Sequence, residues 1–411
     1  MHQETGKALS TYMAGKTTKQ QLSFLLFAYW FDPRWKGFVG ASVKIRDLAM
    51  NLTQMGHQVT LFLPECGFAG KELPFAVIET PFLNVPGLRS ISYNVLLFCL
   101  LIRHWSSLRP DIVYLRRTSL IVPLVYAGMK RARFFFEVND DPFVSRREEG
   151  NRVKFRLRSF LSEALDRINI RFADRCFVIS DTVIKKIKRR MPAVPLEKMV
   201  VMPSGANTDL MRPMEKAKAC HELGLTADSR YIGFAGTLLA HQGLQYLIEA
   251  APGIIETVPA ARFLIVGDGP MKHTLVEQAG RKKMDNVFIF TGAIDYDLLP
   301  LWINAMDICV APYTGDAGLR SPVKIFDYLA CGKPVVASDV TGITEIFRKA
   351  PQVFLVRPDS PDALAEAVTD ILALPGQALE ERRAAHRWIK DRFDRRMIAK
   401  LVADESAHPE E

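Results

Sequence analysis

Short apolar runs alternate with stretches of helical periodicity along most of the chain. The run from Ser23 to Ala28 is followed by apolar residues that recur at helical spacing from Val43 to Met55. Gly56 then supplies a C-terminal stop for a helix, and Val59 to Leu63 forms a second apolar run. This order predicts a β-α-β unit with two parallel strands.

The same alternation continues in two series, which are separated by turn residues from Asn207 to Pro213. Further strands of the first series are predicted at Ile112–Leu115, Phe134–Val138, Cys176–Ile179 and Met199–Met202. Those of the second series are predicted at Tyr231–Ala235, Arg262–Val266, Asn286–Thr291, Asp307–Ala311, Pro334–Ala337 and Val353–Val356. Parallel strands with intervening helices predict two doubly wound, Rossmann-like α/β domains that face a central cleft, with ligands bound at the carboxyl ends of the strands.

The length of 411 residues suits two domains of ordinary size. We predict an N-terminal domain over 21–206 and a C-terminal domain over 207–382. Residues 1–20 are polar and without a period, and 403–411 are acidic, so both are expected to be loose tails. With 48% hydrophobic and 24% charged residues, the composition is that of a globular protein and excludes collagen and coiled coil.

The net charge of +9 is unevenly placed. Residues 1–205 carry 31 basic and 17 acidic side chains, and basic residues interleave with apolar ones from Arg103 to Arg190. Such a face suits an anionic membrane surface or a phosphorylated lipid, and a solvated helix face is the open alternative. No nucleic-acid recognition motif accompanies the charge, so nucleic acid is not expected as a partner.

Other residue types narrow the class further. The six cysteines include no C-x-x-C pair, which fits a reducing cytoplasm better than a zinc ribbon or a disulfide framework. The longest apolar runs are far shorter than the roughly 20 residues of a membrane-spanning helix. The histidines form no metal-binding motif, and the acidic pair Asp295 and Asp297 is interpreted as the cap of a helix, so we expect no metal.

The most informative chemistry lies at the start of a short predicted helix, Pro322 to Cys331. Ser321 is a favoured N-cap and Pro322 suits the first helical position. The free N–H groups predicted on Val323 and Lys324 add to the positive end of the helix dipole, and this combination suits a diphosphate.

Two side chains of this helix extend the pattern. Lys324 adds a full positive charge at the predicted phosphate site. Asp327, three residues further along, can accept hydrogen bonds from both hydroxyls of a ribose. The spacing alone is equally consistent with a surface ion pair between the two.

Taken in order, seven segments resemble family 4 glycosyltransferases, which have the two-domain GT-B fold. The segments are the G-x-x-G loop at Gly37 and Gly40 with RDLAMNLTQMGHQVTLF after it, FEVND at Phe136–Asp140, VIS at Val178–Ser180, VMPSGANTDLMRP at Val201–Pro213, FAGTLLAHQGLQYLIEA at Phe234–Ala250, LIVGDGP at Leu264–Pro270, and SPVKIFDYLACGKPVVAS at Ser321–Ser338. The resemblance implies transfer of a hexose-type sugar from a nucleotide-diphosphate donor, with retention of configuration and without a metal or other cofactor. It also implies a helix over 383–402 that returns to the first domain.

Position along the chain and the resemblance together assign residues to the donor and the acceptor. Expected donor contacts are Gly236, Thr237, Leu238, Gln242, Gly267, Ala293, Ile294, Arg320, Ser321, Pro322 and Val323. Expected acceptor contacts are Gly40, Arg116, Asn139 and Asp140. We predict that Lys324, Asp327 and Glu137 are catalytic, with Glu137 placed at a strand end where it could accept a proton. His241, in the H-x-G segment, is a further candidate for contact with substrate.

The sequence departs from the family pattern at the cations and acids. Leu319 and Asp327 stand where the family commonly has two glutamates, with Asp316 a possible substitute for the first. Thr237 and Gln242 stand where family members often have arginine and lysine. We expect Lys324, together with Arg320, to supply the missing positive charge.

The resulting hypothesis is a glycosyltransferase that acts on a saccharide or lipid-linked acceptor in envelope or exopolysaccharide synthesis. We expect it in the cytoplasm, at the inner face of the membrane. Two alternatives stay open: a nucleotide-sugar epimerase on the same fold, and a non-catalytic partner subunit that binds nucleotide.

Overall fold

The chain forms two compact α/β units. The structure, a computed structural model, describes residues 21–29, 41–65, 72–85, 88–143, 152–315, 321–374 and 379–407. The described residues up to Pro203, together with those from Arg395 onward, form the first unit, and Ser204–Asp394 form the second. The first unit therefore ends slightly before the predicted boundary at 206.

Thirteen parallel strands make up the two sheets within the described residues. The first sheet contains β1 (Ser23–Phe27), β2 (Gln58–Pro64), β3 (Ala76–Thr80), β4 (Ile112–Arg116), β5 (Arg133–Val138), β6 (Arg175–Val178) and β7 (Met199–Val201). The second contains β8 (Arg230–Ala235), β9 (Ala261–Val266), β10 (Phe288–Gly292), β11 (Ile308–Ala311), β12 (Val335–Ser338) and β13 (Val353–Val356).

Fourteen α-helices lie in the described ranges, most of them between consecutive strands. They are α1 (Ala41–Gln54), α2 (Arg89–Arg103), α3 (Val122–Lys130), α4 (Arg152–Phe172), α5 (Asp181–Arg190), α6 (Lys216–Leu223), α7 (Leu244–Thr257), α8 (Lys272–Arg281), α9 (Leu299–Ala305), α10 (Val323–Ala330), α11 (Thr341–Phe347), α12 (Pro361–Ala373), α13 (Leu379–Phe393) and α14 (Arg395–Ala407). No helix in this part of the chain is both long enough and apolar enough to cross a bilayer.

Both sheets are doubly wound, which confirms the predicted fold class. The first has the strand order β3-β2-β1-β4-β5-β6-β7 and the second β10-β9-β8-β11-β12-β13. In each, the order reverses beside the first strand of the series, β1 or β8, and the carboxyl ends of the strands meet at one edge there.

Alternate side chains of each strand enter different layers of core. In β8, Ile232 and Phe234 belong to one buried cluster, whereas Tyr231 and Ala235 belong to the other. Successive side chains of a strand point to opposite faces, so both faces of this sheet are covered. This burial explains why the strands are near-continuous apolar runs in the sequence.

Strand β3 was not predicted. Its sequence, AVIET, is short and ends in two polar residues, and most of its side chains are only half-buried. It pairs with β2 alone, at the end of the sheet. An edge strand needs no long apolar run, so its sequence signal is weak.

The returning helix differs from the prediction at both ends. It begins later than predicted, at Arg395, and it continues past residue 402 to Ala407. The predicted helix over 383–402 is divided between α13, in the second unit, and α14, in the first, with a break at Asp394. The Asp394 carboxylate accepts a hydrogen bond from the Thr208 hydroxyl. The predicted acidic tail is also wrong for 403–407, which continue α14, and residues 408–411 lie outside the described ranges.

Helix α14 completes the core of the first unit. Its Ile398, Leu401 and Val402 join the buried cluster formed by α1 and the strands. At the start of the helix, buried Arg395 donates to the buried carboxylate of Asp47 on α1. This pair ties α14 to α1.

We predict that Asp47→Ala lowers the free energy of unfolding of the first unit by about 3 to 5 kcal/mol, because it leaves Arg395 buried without its carboxylate partner. Urea unfolding measures the change. Asp404→Ala is the matched control, since it removes a more exposed i, i+4 pair with Lys400 on the same helix and should cost less than about 0.5 kcal/mol. Equal losses in the two variants would contradict the stabilising role of the buried pair.

Candidate functional site

At the carboxyl ends of β8, β9 and β10, glycine residues bring the backbones of the three strands together. Gly236 N–H donates to Val266 O at 2.9 Å, and Gly267 N–H donates to Gly292 O at 3.0 Å. Gly267 has a φ of +130°, and a β-carbon there would lie 2.1 Å from the Gly236 carbonyl oxygen. Only glycine fits this approach, so the predicted donor residues Gly236 and Gly267 are brought together at the strand ends.

The loop after β8 is fixed to the loop after β9. Leu238 N–H donates to Asp268 O at 2.9 Å, and Leu238 O accepts from Met271 N–H at 3.1 Å. The Leu238 side chain is fully buried in the core. Leu238 therefore anchors the loop, and half-buried Thr237 is the neighbour with an accessible side chain.

The H-x-G segment, His241 to Gly243, is held against the exit of β11. Gly243 has a φ of +70°, and a β-carbon on it would lie 1.7 Å from Pro312 O. His241 O accepts from Thr314 N–H at 3.2 Å, and the His241 ring stacks on Tyr313 with 6.4 Å between centroids. The glycine is needed because the two backbones touch.

Lys324 lies at the centre of these loops. Its ammonium group donates to the Gln242 side-chain oxygen and sits 3.7 Å from the centroid of the Phe234 ring. A β-carbon added to Gly236 would be 3.3 Å from Lys324 Cε and Nζ. The structure thus assembles three predicted site residues, Gly236, Gln242 and Lys324, around one cation.

The cation is poorly solvated. Burial holds the pKa of Lys324 well below its ordinary value. The Gln242 oxygen and the face of the Phe234 ring favour the charged form and oppose this effect. A half-buried ammonium whose neighbours among the described residues are neutral groups would be stabilised strongly by an incoming anion.

Helix α10 begins one residue later than predicted, and Ser321 does not cap it. Pro322 has φ −82° and ψ 60°, the inverse γ-turn conformation, and Val323 N–H donates to Ser321 O at 2.9 Å. The prediction of a free N–H on Val323 is therefore wrong in this state. The Ser321 hydroxyl instead hydrogen-bonds the hydroxyl of Ser204.

Asp327 faces inward on α10, with 4% of its surface exposed. The interpretation of Lys324 and Asp327 as a solvated surface ion pair does not hold, since Asp327 is buried and Lys324 bonds Gln242. The ribose-binding role of Asp327 stays a prediction.

Tyr328, for which the sequence assigned no role, connects α10 to the end of β8. Its hydroxyl accepts from Ala235 N–H at 2.7 Å and donates to Ala235 O at 3.2 Å. The side chain is fully buried, and burial raises the pKa of the phenol well above its ordinary value. Tyr328 thereby fixes the helix that carries Lys324 relative to Gly236.

Phe234 and Tyr313 are the other contacts of Lys324 that sequence reasoning missed. The Tyr313 ring centroid is 5.1 Å from the ammonium. A signal for Phe234 was present, because it lies two residues before Gly236, and residues two apart share one side of a strand. Tyr313 carries no comparable signal, since it follows its strand in an irregular segment.

The remaining predicted donor residues lie in different settings. Ala293 is exposed and Ile294 is half-buried, directly after the end of β10. Asp295 precedes a 3₁₀ turn, Tyr296–Leu298, and makes no side-chain capping bond there, so the cap is only positional. Arg320, with Asp316 and Leu319, and Gly40 of the predicted acceptor set lie outside the described residues.

Glu137, the predicted proton acceptor, lies in a closed network of the first unit. Its carboxylate accepts from Lys44 Nζ at 2.7 Å and from the Tyr114 hydroxyl at 2.8 Å, and Arg116 Nε is 3.7 Å away. Only 1% of Glu137 is exposed. A cavity of about 10 Å³, enough for one water molecule, adjoins Lys44, Tyr114 and Glu137.

The electrostatics of this network disfavour proton transfer by Glu137. Burial alone would raise its pKa, but Lys44 and Arg116, with the hydrogen bonds from Lys44 and Tyr114, outweigh it and hold the pKa below the ordinary value. A carboxylate so stabilised is a weak base. Its contacts make Glu137 the anchor of two cations.

The predicted acceptor residues come together beside this network. Arg116 and Glu137 are register partners at the ends of β4 and β5, and Asn139, with its amide oxygen toward the guanidinium, accepts from Arg116 Nε at 3.1 Å. Arg117 pairs with both Asp140 and Asp166. These groups thus bind one another at the carboxyl edge of the first sheet.

Two doubly wound parallel α/β sheets, of seven and six strands, place the chain in the class of GT-B-like folds. A model described as Glycosyltransferase Family 4 matches residues 39–210, and one described as Glycosyl transferases group 1 matches 229–373, so together they cover about three quarters of the chain. The chain belongs to the group 1, family 4 glycosyltransferases, as its motifs predicted.

Individual relatives agree with this assignment. The chain is 30% identical over 218 residues to a GDP-mannose-dependent alpha-(1-6)-phosphatidylinositol monomannoside mannosyltransferase of Mycolicibacterium smegmatis. The matched region covers 52% of this chain and 56% of that protein. The chain spans about half the length of the curated relatives it matches.

Solved structures share the fold across nearly the whole chain. Sucrose-phosphate synthase from Thermosynechococcus elongatus superposes with a TM-score of 0.76 at 18% identity, over 94% of this chain and 98% of that one. Anabaena HepE in complex with UDP and glucose gives 0.72 at 19% identity, over 93% and 99%.

We predict that Tyr328→Phe lowers the free energy of unfolding by about 1 to 3 kcal/mol, because the buried N–H of Ala235 loses its acceptor. Chemical denaturation measures this change. Tyr126→Phe is the matched control: the Tyr126 ring is also fully buried, but its hydroxyl has no hydrogen-bond partner among the described residues, so its removal should be nearly neutral. A neutral Tyr328→Phe would show that the bridge to Ala235 contributes nothing.

Proposed function

We propose that this protein transfers a hexose from a nucleotide-diphosphate sugar to a saccharide or lipid-linked acceptor, with retention of configuration. The observation that carries the proposal is the Lys324 ammonium, held beside the bare backbone of Gly236 at the carboxyl edge of the second sheet. Family membership makes sugar transfer the natural chemistry for such a site.

The donor diphosphate fits this edge for three physical reasons. The glycine turns at the ends of β8 and β9 let a phosphate approach the backbone closely. Lys324 supplies positive charge from a poorly solvated position, where its attraction for an anion is strong. The amino end of α10 adds the partial positive charge of a helix terminus, provided that the turn at Val323 opens to release its N–H.

Names of related proteins support a nucleotide-diphosphate donor. The mycobacterial relative is described as GDP-mannose-dependent, and the Anabaena neighbour binds UDP and glucose. The acceptor of the former is a phosphatidylinositol mannoside, which supports a lipid-linked acceptor for this chain.

In the proposed reaction, the bond between the sugar and the diphosphate breaks while a hydroxyl oxygen of the acceptor bonds to the same carbon. Lys324 stabilises the negative charge that develops on the departing phosphate. That phosphate oxygen can take the proton of the acceptor hydroxyl, so Glu137 is not required as a base. The Asp327 carboxylate accepts hydrogen bonds from the two hydroxyls of the ribose.

The cellular setting follows from the proposed acceptor. We place the reaction at the cytoplasmic face of the membrane, in envelope or exopolysaccharide synthesis. The interleaving of basic and apolar residues from Arg103 to Arg190 in the sequence supports contact with anionic lipid.

We predict that Lys324→Ala lowers kcat/KM for the donor by about 100-fold or more, since the developing phosphate charge loses its cation. Initial rates of donor consumption with a screened nucleotide sugar measure the change. Lys218→Ala, which removes an exposed lysine of α6 in the same unit, should leave the rate unchanged. A loss below threefold at Lys324 would exclude it from transition-state stabilisation. Product analysis without an acceptor separates transfer from epimerisation, because an epimerase needs no second substrate.

We further predict that nucleoside diphosphate binding takes up protons at alkaline pH. The pKa of Lys324 is lowered by burial in the free site and must rise when a phosphate neutralises the ammonium. Affinity should therefore fall as pH increases from the lower of these two pKa values to the higher. Titration calorimetry with UDP and GDP, repeated in buffers of different ionisation enthalpy, counts the protons. Affinity that does not change with pH across the alkaline range would contradict a desolvated lysine at the phosphate site.

A further inference from the structure

Helix α2 presents an apolar stripe to solvent. Its outward side chains Ile91, Val95, Phe98 and Ile102 are 37 to 61% exposed and follow one another at spacings of four, three and four residues. The opposite side of the helix is fully buried at Tyr93, Leu97 and Leu101. A helix on the surface of a globular protein ordinarily has polar residues on its outer side. Helix α2 has apolar residues on its outer side as well as on its buried side.

Helix α3, which is in contact with α2, carries two further exposed apolar side chains. Val125 and Met129 are exposed there at i, i+4 spacing, and α2 and α3 are joined because Asn94 bonds the backbone of Ser119 and Ile121. We call Ile91, Val95, Phe98, Ile102, Val125 and Met129 the α2–α3 apolar face. Contiguous exposed patches of this kind mark interaction surfaces.

Positive charge lies beside the α2–α3 apolar face where the two helices end. Arg103, Arg109 and Arg131 are exposed at the ends of α2 and α3. The Lys130 ammonium lies 3.8 Å from the centroid of the half-exposed Trp105 ring, between the two helix ends. Tryptophan beside basic side chains is a pairing typical of the membrane interface.

Negative charge is nearly missing from this part of the sequence. Between Glu79 and Glu137 the only acidic residue is Asp111, and its carboxylate accepts the Ser23 N–H at 2.7 Å. A second copy of the chain docked through the same face would bring like charges together. An anionic lipid surface complements both the apolar stripe and its basic border.

We propose that the α2–α3 apolar face docks on an anionic lipid bilayer, with its apolar side chains in the headgroup boundary and Arg103, Arg109 and Arg131 on lipid phosphates. The inference rests on the proposed function, because it gives the transferase access to a lipid-linked acceptor. Binding needs no substrate, so it can be measured apart from catalysis.

Vesicle sedimentation of the full chain tests the proposal. We expect binding to vesicles of phosphatidylcholine mixed with phosphatidylglycerol, little binding to phosphatidylcholine alone, and weakening at high salt. The double variant V95S/F98S should lose at least tenfold in the partition coefficient. The control V276S/L298S changes two apolar side chains of the second unit with similar exposure and should bind like the unchanged chain.

A probe on Cys99 reports where the membrane lies. Cys99 is exposed on α2 next to Phe98, whereas Cys176, Cys220, Cys309 and Cys331 are buried. In a C66S background, an environment-sensitive dye on Cys99 should shift to the blue when vesicles are added. Binding without a shift, or binding unaffected by V95S/F98S, would overturn the proposal in favour of another surface.

Two further measurements separate the alternatives. A dimer in sedimentation velocity without vesicles, dissociated by V95S/F98S, would assign the face to a second copy and overturn the proposal. Thermal shift with UDP and GDP on the same variants tests the donor site: if nucleotide binding fails while vesicle binding persists, the proposed function falls and the surface stands. The reverse result removes only the surface.

Discussion

A half-buried lysine ammonium, Lys324, is the constraint on which the edge of the second sheet depends. Desolvating a charge is costly, so the surrounding chain has to hold it with dipoles and ring faces. Gln242 and Phe234 do this directly, and Tyr328 fixes the helix that carries Lys324 to the strand beside it. Because Gly236 has no side chain, its backbone lies directly beside the ammonium group, and this arrangement is the basis for proposing a phosphate there.

The two sheet edges solve the same electrostatic problem differently. In the first unit, charges at the strand ends are matched within the protein: Glu137 takes Lys44 and Arg116, and Arg117 takes two aspartates. In the second unit, Lys324 contacts the neutral side chains of Gln242, Phe234 and Tyr313 among the residues that the structure describes. Charges that are already paired have little affinity left for a further ion, and this contrast is the reason for proposing the second edge as the place of the donor diphosphate.

The amino-acid sequence foretold the architecture well because both sheets are buried on two sides. Every strand predicted from an apolar run is present, with bounds that differ by a few residues at most. The one strand of the described residues that was not predicted, β3, is an edge strand, and its half-buried positions leave a weaker pattern in the sequence. Helix ends were harder. Propensity favours Ser321 as a cap, but the neighbouring Ser204 hydroxyl competes for that side chain, and Pro322 adopts a tight turn instead of helical geometry.

The candidate site was foreseen only where chemistry is local in sequence. Glycines at strand ends and a lysine at a helix start can be read from spacing, and these residues do meet. Two partners of Lys324, Phe234 and Gln242, are far from it along the chain, and the third, Tyr313, lies in an irregular segment, so these contacts depend on packing that spacing does not encode. Glu137 shows the opposite case, since its position at a strand end was right while its closed surroundings follow from Lys44 on α1 and Tyr114 on β4.

The placement of α14 has a consequence for how the protein emerges from the ribosome. Its side chains complete the core of the first unit, although they are synthesised after the whole of the second. During translation the first unit stays incomplete, with part of its apolar core uncovered, until α14 has been synthesised. By then the second unit already has all its strands. The order of maturation is thus reversed relative to the order of synthesis, and the nascent amino-terminal part is the portion that most needs chaperone protection.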